Sequence, residues 1–189
     1  MKPAEALVAI TGASGVIYGV RLVEVLAQRT SVDVIVSRMA EQIGVLELGY
    51  SIYNKMSKVA RKVYWDYEME AMYSSSSSTT KSMIIAPCSI KTLSAIAHGY
   101  ASNLVVRAAL AVLRLARKLV LVVRETPLGV IELENMLKLA RAGAIILPAC
   151  PAFYHEPKTV EDMVDFVVGK VLDVLGYEHN LYRRWQPIG

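Results

Sequence analysis

The sequence predicts an α/β domain in which helices cover both faces of a doubly wound parallel sheet. Short apolar runs rich in β-branched residues alternate along the whole chain with segments of helical periodicity. These runs are almost continuously apolar, which is typical of parallel strands buried on both faces. The 189 residues, 54% of them hydrophobic, suit one domain. We therefore expect a single domain spanning residues 1–189.

Each element follows from its local pattern. Five short apolar runs bounded by turn or charged residues predict strands at Ala6–Ile10, Val32–Val36, Met83–Ala86, Leu119–Val123 and Ala144–Leu147. Six segments with apolar residues three and four positions apart predict helices at Val16–Gln28, Met39–Leu48, Ser89–His98, Leu104–Lys118, Val130–Arg141 and Val160–Leu175. The last helix has the clearest apolar stripe, and Thr159 with Asp162 resembles a capping box at its start.

The segment Tyr50–Lys81 lacks a clear pattern and contains the serine run Ser74–Ser78. A low-complexity linker is one interpretation. Long irregular segments inside compact domains are more often functional, so we favour a flap over a linker.

Composition excludes several classes of protein. The net charge is +4, but the basic residues are scattered, which argues against a nucleic-acid surface. The longest apolar stretches, Thr92–Val106 and Ala142–Tyr154, are too short and interrupted to cross a membrane. The apolar run Ala6–Ile10 is too short for a signal peptide. Cys88 and Cys150 cannot form a disulfide framework, so we expect a reducing, cytoplasmic location.

The turn after the first predicted strand is a candidate phosphate site. Thr11–Gly15 reads Thr-Gly-Ala-Ser-Gly and leads straight into a helix, whose free amides and positive dipole end favour an anion. The turn is not G-x-G-x-x-G, and Ser37 stands where a nicotinamide ribose would need an acidic residue. A mononucleotide is therefore favoured over NAD, although a tight structural corner is an alternative.

The turn after the third predicted strand, Pro87–Thr92, also starts a helix. Ser89 is placed as its N-cap, which leaves the following amides open to an anion or a flavin edge. An ordinary cap with a solvated Lys91 is the alternative. Cys88 has no neighbouring histidine in the sequence and is interpreted as a core residue rather than a nucleophile.

Two arginines interrupt the apolar helical segment Leu104–Leu115. Arg107 and Arg114 are seven residues apart, nearly two turns, so their side chains leave the same face. A buried arginine needs an anionic partner, which could be a carboxylate such as Glu47 or a ligand phosphate. Snorkelling to solvent is the alternative.

Further charged and aromatic side chains follow the last two predicted strands. Arg124 and Glu125 stand at the mouth of a buried strand, where they could serve acid–base chemistry, bind an anion or form a salt bridge. The proline-rich loop Pro148–Pro157 carries Tyr154, and Lys170 lies at the edge of the last apolar stripe, so the two could form a second anion contact. An excess of cations at one sheet edge indicates two phosphates, or a phosphate and a carboxylate.

The three histidines, His98, His155 and His179, show no metal-like spacing, so we expect no metal site.

Seven motifs spread in order along nearly the whole chain resemble those of the UbiX-type flavin prenyltransferases, formerly called phenylacrylic or hydroxyarylic acid decarboxylases. They are Ile10–Gly15, Pro87–Ser94, Arg107–Ala109, Arg124–Pro127, Glu134–Met136, Pro151–His155 and Val160–Asp162. Tyr50–Lys81 resembles the family only in ending at a serine-rich loop.

The resemblance implies a three-layer Rossmann-like (flavodoxin-like) fold and a metal-independent transferase. The family transfers a dimethylallyl group from dimethylallyl monophosphate to N5 and C6 of reduced FMN, which is bound between subunits. The product, prenylated FMN, serves UbiD-type decarboxylases, and family members assemble as dodecamers. We therefore expect FMN, the prenyl donor, other copies of the chain and a UbiD-type decarboxylase as partners.

The resemblance also implies residue roles. The residues that match FMN contacts are Gly12, Ala13, Ser14, Ser37, Ser89, Ile90, Lys91, Thr92 and Arg124. Tyr154 and Lys170 match contacts to the donor phosphate. The residues that match the catalytic surround are Ser14, Glu47, Arg107, Arg114 and Glu125. The family commonly has lysine at the position of Arg114 and often arginine at that of Lys170, which changes the phosphate geometry but keeps the charge.

Three aromatic residues of the patternless segment, Trp65, Tyr67 and Tyr73, are candidates for the platform under the prenyl group.

Two other functions are alternatives to prenyl transfer. Flavin-dependent cysteine decarboxylases share the fold, but their catalytic histidine after the first helix region and their P-x-M-N motif are not evident in this sequence. The third interpretation is a non-catalytic FMN carrier.

Overall fold

A computed structural model describes residues 2–186 of the chain. Its centre is a six-stranded, fully parallel sheet in the order β3-β2-β1-β4-β5-β6. The strands are β1 Ala6–Ile10, β2 Val32–Val36, β3 Lys62–Trp65, β4 Ser82–Cys88, β5 Lys118–Val123 and β6 Ala144–Pro148. The strand order reverses between β1 and β4, which is where ligands bind in doubly wound sheets.

Within residues 2–186, seven α-helices surround the sheet. They are α1 Ile17–Leu26, α2 Arg38–Leu48, α3 Ile52–Met56, α4 Ile90–Ala97, α5 Leu104–Arg114, α6 Val130–Arg141 and α7 Val160–Leu175. Alternate residues of β1 enter different cores: Val8 packs in the core shared with α1, α3 and α7, whereas Leu7 packs in the core shared with α4, α5 and α6. This two-sided burial explains the continuous apolar runs and confirms the predicted α/β class.

All five predicted strands and all six predicted helices are present, with shifted ends. The main shift is in α5, which ends at Arg114 rather than Lys118, because Lys118 already begins β5. The prediction missed α3 and β3. β3 is an edge strand of four residues that pairs only with β2, too short for an apolar pattern to emerge.

The segment predicted as a flap is thus partly built into the sheet. After β3, the chain forms two short 3-10 helices, Met72–Ser74 and Ser76–Ser78, before entering β4. Arg117 donates from Nη1 to the carbonyl oxygens of Thr79 and Thr80, both at 2.7 Å, and so fixes the end of the segment. The serine run is therefore a short connection anchored on α5 and β5.

A buried polar cluster anchors the other end of the serine run. Asp33, in β2, is fully buried and accepts 2.8 and 2.7 Å hydrogen bonds from Nε and Nη2 of Arg61. The Tyr73 hydroxyl donates to Asp33 Oδ2 at 2.7 Å and accepts from the Ala4 amide at 2.9 Å. Burial raises the pKa of Tyr73 well above its usual value, so the hydroxyl stays a donor.

Among residues 2–186, no helix is both long and apolar enough to cross a membrane.

The cluster predicts a stability change for Tyr73→Phe. Removing the hydroxyl deprives the buried Asp33 of one hydrogen-bond donor and the Ala4 amide of its acceptor, which should lower the free energy of unfolding by about 1–3 kcal/mol. Urea denaturation measures this. Tyr100→Phe is the control, since Tyr100 is 70% exposed. Equal stability of both variants would contradict the anchoring role of Tyr73.

Candidate functional site

A cavity of about 390 Å³, which we call the edge cavity, opens at the carboxyl edge of the sheet beside the strand-order reversal. From β1, α2 and β3 it is lined by Thr11, Gly12, Ser37, Arg38, Met39 and Asp66. From the start of α4 and the residue before α5 it is lined by Ser89, Lys91, Thr92 and Asn103. The turns after β1 and β4, each a candidate anion site in the sequence, therefore meet at one cavity.

A threonine and two glycines determine the conformation of the loop after β1. The Thr11 hydroxyl donates to the Pro87 carbonyl at 2.7 Å and accepts from the Ser89 amide at 2.9 Å, which ties this loop to the one after β4. A Cβ on Gly12 would lie 2.3 Å from Cγ of Met39, and Gly15 has a φ of +89°. Both positions therefore favour glycine.

Two helix N-termini face the edge cavity. The Ser37 hydroxyl caps α2 by accepting from Ala40 N at 3.1 Å, and the Ser89 hydroxyl caps α4 by accepting from Thr92 N at 3.3 Å. Each cap satisfies the third helical amide and leaves the first two amides of its helix without intrahelical acceptors. The N-terminal ends of both helix dipoles therefore make this cavity favourable for an anion.

Two cationic side chains add to the positive potential that the helix N-termini create in the edge cavity. Arg38 and Lys91 line the edge cavity, and neither forms an ion pair with a carboxylate within residues 2–186. The Arg38 guanidinium lies 4.4 Å from the centre of the Tyr67 ring, a cation–π contact that holds it at the rim. The donor set of the cavity therefore fits a phosphate monoester such as that of FMN.

Three of the predicted site residues converge on the glycine loop. Arg124 donates from Nε to the Ser14 carbonyl at 2.9 Å. Glu47 accepts from the Gly15 amide at 2.9 Å and from the Val16 amide at 3.3 Å. Ser14, Glu47 and Arg124, from three distant segments, therefore lie together. Glu125 follows Arg124, and its Oε1 accepts from the Thr126 amide at 3.0 Å in an exposed position.

The two arginines of α5 do not reach this site within one chain. Arg107 donates from Nε to the Ser74 carbonyl at 2.8 Å, and Arg114 donates from Nε to the Leu110 carbonyl at 3.1 Å. α5 starts beside Asn103 at the edge cavity and runs 11 residues, about 16 Å, towards the start of β5. Arg114 therefore lies towards the opposite edge of the sheet, and neither arginine pairs with Glu47 among the described residues.

Tyr154 and Lys170 lie together but form a separate site. Both contact Phe166 of α7: the ring centres of Tyr154 and Phe166 are 6.0 Å apart, and Lys170 Nζ is 5.3 Å from the Phe166 ring centre. Lys170 is ten residues after Val160, about 15 Å along α7 from its start at the carboxyl edge. The expectation that all the cations surround one edge of the sheet is therefore wrong for a single chain.

The structure also locates the other candidates. Cys88 is fully buried, and burial raises the pKa of its thiol to about 12, which supports a core role. Tyr73 faces Asp33 in the core and is not placed as a prenyl platform, while Trp65 stacks between Tyr53 and Tyr67. Within residues 2–186, no three His, Cys, Asp or Glu side chains are grouped to hold a metal ion.

Sequence reasoning missed four residues that line the edge cavity: Arg38, Met39, Asp66 and Asn103. Asp66 directly follows the unpredicted strand β3, and its carbonyl accepts from the Leu104 amide at 2.7 Å, which brings the start of α5 to the cavity. Arg38 could have been found, because it directly follows Ser37 at the end of a correctly predicted strand.

Comparison with known proteins agrees with this geometry. A family model described as Flavoprotein matches residues 1–172. The chain is 50% identical over 188 residues to a flavin prenyltransferase UbiX from Saccharolobus solfataricus, covering 98% of this chain and 94% of the relative. It is 46% identical over 182 residues to a flavin prenyltransferase UbiX from Methanocaldococcus jannaschii, covering 96% and 98%.

Solved structures extend the comparison. A dodecameric FMN-dependent UbiX-like decarboxylase from Escherichia coli O157:H7 superposes with a TM-score of 0.93 at 44% identity, covering 99% of this chain and 100% of that one. AnUbiX (PadA1), in complex with FMN and dimethylallyl pyrophosphate, superposes with a TM-score of 0.94 at 36% identity, covering both chains completely. The peptidyl-cysteine decarboxylase EpiD, at 16% identity and a TM-score of 0.64, shares the fold alone. The chain belongs to the Flavoprotein family and, within it, to the UbiX flavin prenyltransferases.

Proposed function

We propose that the chain transfers a dimethylallyl group from dimethylallyl monophosphate to N5 and C6 of reduced FMN, producing prenylated FMN. The observation that carries this proposal is the meeting of Ser14, Glu47 and Arg124 on the glycine loop, whose first residues, Thr11 and Gly12, line an anion-favouring cavity. This arrangement occurs in a chain that matches flavin prenyltransferases over nearly its whole length.

The edge cavity has two distinct ends for FMN. The open amides of α2 and α4, with Arg38 and Lys91, are suited to the phosphate. The glycine loop and Arg124 are suited to the isoalloxazine. Reduced FMN supplies the two atoms, N5 and C6, to which the prenyl group becomes bonded.

The chain must then stabilise the leaving group. The C–O bond of the donor breaks and its electron pair leaves with the phosphate, so negative charge collects on the phosphate oxygens. Preorganised cations in a dry pocket stabilise that charge most effectively. We assign this role to Arg107, Arg114, Tyr154 and Lys170. Glu125, or the departing phosphate, would accept the proton that N5 loses and return a proton to the prenyl alkene. Glu47 with Ser14 would orient the groups while the alkene carbon bonds to C6, and the proton lost from C6 would pass to the same base.

This assignment requires several copies of the chain. Arg114 and Lys170 lie away from the edge cavity of their own chain, so we propose that neighbouring copies complete it. The outer face of α6 supports association, because Val130 and Ile131 are 69% and 70% exposed. Large apolar side chains exposed together mark interaction surfaces. The E. coli relative is dodecameric, and we propose a homo-oligomer of the same kind here.

The proposed activity also suggests which enzyme uses the product and in which compartment. We propose that a UbiD-type decarboxylase receives the prenylated FMN. The free thiols Cys88 and Cys150 favour a reducing compartment, consistent with the cytoplasm.

The function itself predicts a change in flavin mass. Anaerobic incubation of the protein with reduced FMN and dimethylallyl monophosphate should release a flavin heavier by one prenyl unit, detected by mass spectrometry. A parallel reaction with the diphosphate determines donor preference, since AnUbiX was solved with the pyrophosphate. Unchanged flavin with both donors would favour the FMN carrier, and oxidative decarboxylation of a cysteine peptide would favour the cysteine decarboxylase.

Lys170→Ala should raise the KM for the prenyl donor. Losing a charge-assisted hydrogen bond to phosphate costs about 1.5–3 kcal/mol, or roughly ten- to a hundredfold in affinity. FMN affinity, followed by flavin fluorescence, should stay the same because Lys170 lies outside the edge cavity. Lys158→Ala, in the loop before α7, serves as the charge-matched control. An unchanged donor KM would refute the assignment of Lys170.

Arg38→Met should weaken FMN binding without weakening riboflavin binding, because only FMN carries the phosphate placed beside Arg38. We expect the Kd for FMN to rise by about tenfold or more, measured by fluorescence titration of both flavins. Arg29→Met is the control, since Arg29 caps its own helix at the Val25 carbonyl. Equal losses for both flavins would place the phosphate elsewhere.

A further inference from the structure

The C-terminal strap, residues 177–186, forms no helix or strand, yet it is seated firmly on α7. Two of its side chains, His179 and Tyr182, are only 8% and 7% exposed. They pack at Gly169, where a Cβ would lie 2.6 Å from Tyr182 Cε1 and 2.7 Å from His179 Cε1. The surface of α7 therefore has a notch, open only with glycine, that admits these two rings.

Asp173 anchors the strap from the next turn of α7. Its carboxylate accepts from the Tyr182 hydroxyl at 2.5 Å and from Arg184 Nη2 at 2.7 Å, and His179 Nε2 lies 3.1 Å away. Burial alone would raise the pKa of Asp173, but the hydrogen bonds from Arg184, Tyr182 and His179 outweigh it and hold the pKa at about 2. The anchor is therefore charged at neutral pH.

The strap contacts both residues assigned to the donor phosphate. Lys170 Nζ lies over the Tyr182 ring, 5.0 Å from its centre. The Trp185 ring stands edge-on to Tyr154 with the ring centres 5.3 Å apart, and Arg183 donates to the Tyr154 carbonyl at 2.9 Å. Moving the strap would therefore loosen Lys170 and Tyr154 together and leave both in contact with Phe166.

The anchor also leaves Lys170 available. Lys170 Nζ forms a long ion pair with Asp173, 3.8 Å from Oδ2 and beyond hydrogen-bond distance, and its side chain is 43% exposed. The Asp173 oxygens are already engaged by Arg184, Tyr182 and His179. The ammonium is thus held near the carboxylate without donating a hydrogen bond to it, so its N–H groups stay available to a phosphate.

We propose that the C-terminal strap is part of the donor site and that Asp173 is a positioning residue, which fixes Lys170 and Tyr154 for the phosphate of the prenyl donor by anchoring the strap. This inference rests on the proposed function, because it assumes that Tyr154 and Lys170 meet that phosphate.

Asp173→Asn tests the proposal in the full-length oligomer. We expect the KM for dimethylallyl monophosphate to rise about tenfold, with kcat within about twofold and the Kd for FMN unchanged. Glu161→Gln removes the same charge from α7 at a position that does not contact the strap, and should leave the KM unchanged. Asp173→Glu should restore part of the affinity, since it keeps the carboxylate.

A second variant, Gly169→Ala, fills the notch and leaves every charged group in place. Alanine suits a helix interior, so α7 itself should not be weakened. We expect the same rise in donor KM. As a readout independent of turnover, Trp185 emission in a Trp65→Phe background should change on titration with inorganic phosphate, and Asp173→Asn should abolish that change.

Three results would overturn the proposal. One is a donor KM that equals the wild-type value in both Asp173→Asn and Gly169→Ala, although the Trp185 emission of these variants shows that the strap has detached. Another is an equal KM rise in Glu161→Gln, which would indicate a long-range charge effect. The third is a Trp185 response to phosphate that survives in Asp173→Asn. If the wild-type protein makes no prenylated flavin, the proposed function is wrong, and the phosphate titration alone decides the role of the strap.

Discussion

The site depends on one local constraint, the bridging of two loops by Thr11. Its hydroxyl bonds the Pro87 carbonyl and the Ser89 amide, so the turns after β1 and β4 stay together where the strand order reverses. With the turns fixed, Ser37 and Ser89 cap α2 and α4, and the open amides of both helices face one cavity. Arg38 and Lys91 add charge to a field that the backbone already creates. The preference for a phosphorylated ligand therefore comes first from the fold and only then from side chains.

A single chain does not bring together all of the side chains to which we assign a role. Arg114 ends α5 near the start of β5, and Lys170 lies well along α7, so both are turned away from the edge cavity of the same chain. The same chain exposes large apolar side chains on α6, including Val130 and Ile131. The proposed assembly would account for both features, because it would bury these side chains and bring one copy's cations to another copy's cavity. The same proposal would account for the high apolar content of the sequence.

The parts of the structure that could be predicted are those with strong local signals. Strands such as Ala6–Ile10 are apolar on both faces and therefore stand out, and Ser89 is recognisable as a helix cap. β3 was missed because four residues at a sheet edge leave no pattern, and Asp66 was missed with it. The separation of Arg114 from the cavity was also missed, since the order of motifs along a chain does not tell how far apart their side chains lie in the folded chain. The Asp173–Arg184 pair joins a helix to an irregular segment, where no periodicity exists to reveal it.

Complementation between two inactive variants tests most directly whether the site is shared between copies. Arg124→Ala removes a cation bonded to the glycine loop, and Arg114→Ala removes one at the far end of α5, so each pure oligomer should make little prenylated FMN. Co-expressed chains form mixed oligomers in which some cavities combine Arg124 of one copy with Arg114 of another. The account predicts prenylated FMN well above the level of either pure variant. Activity no greater than the average of the two pure variants would contradict a site built from several copies.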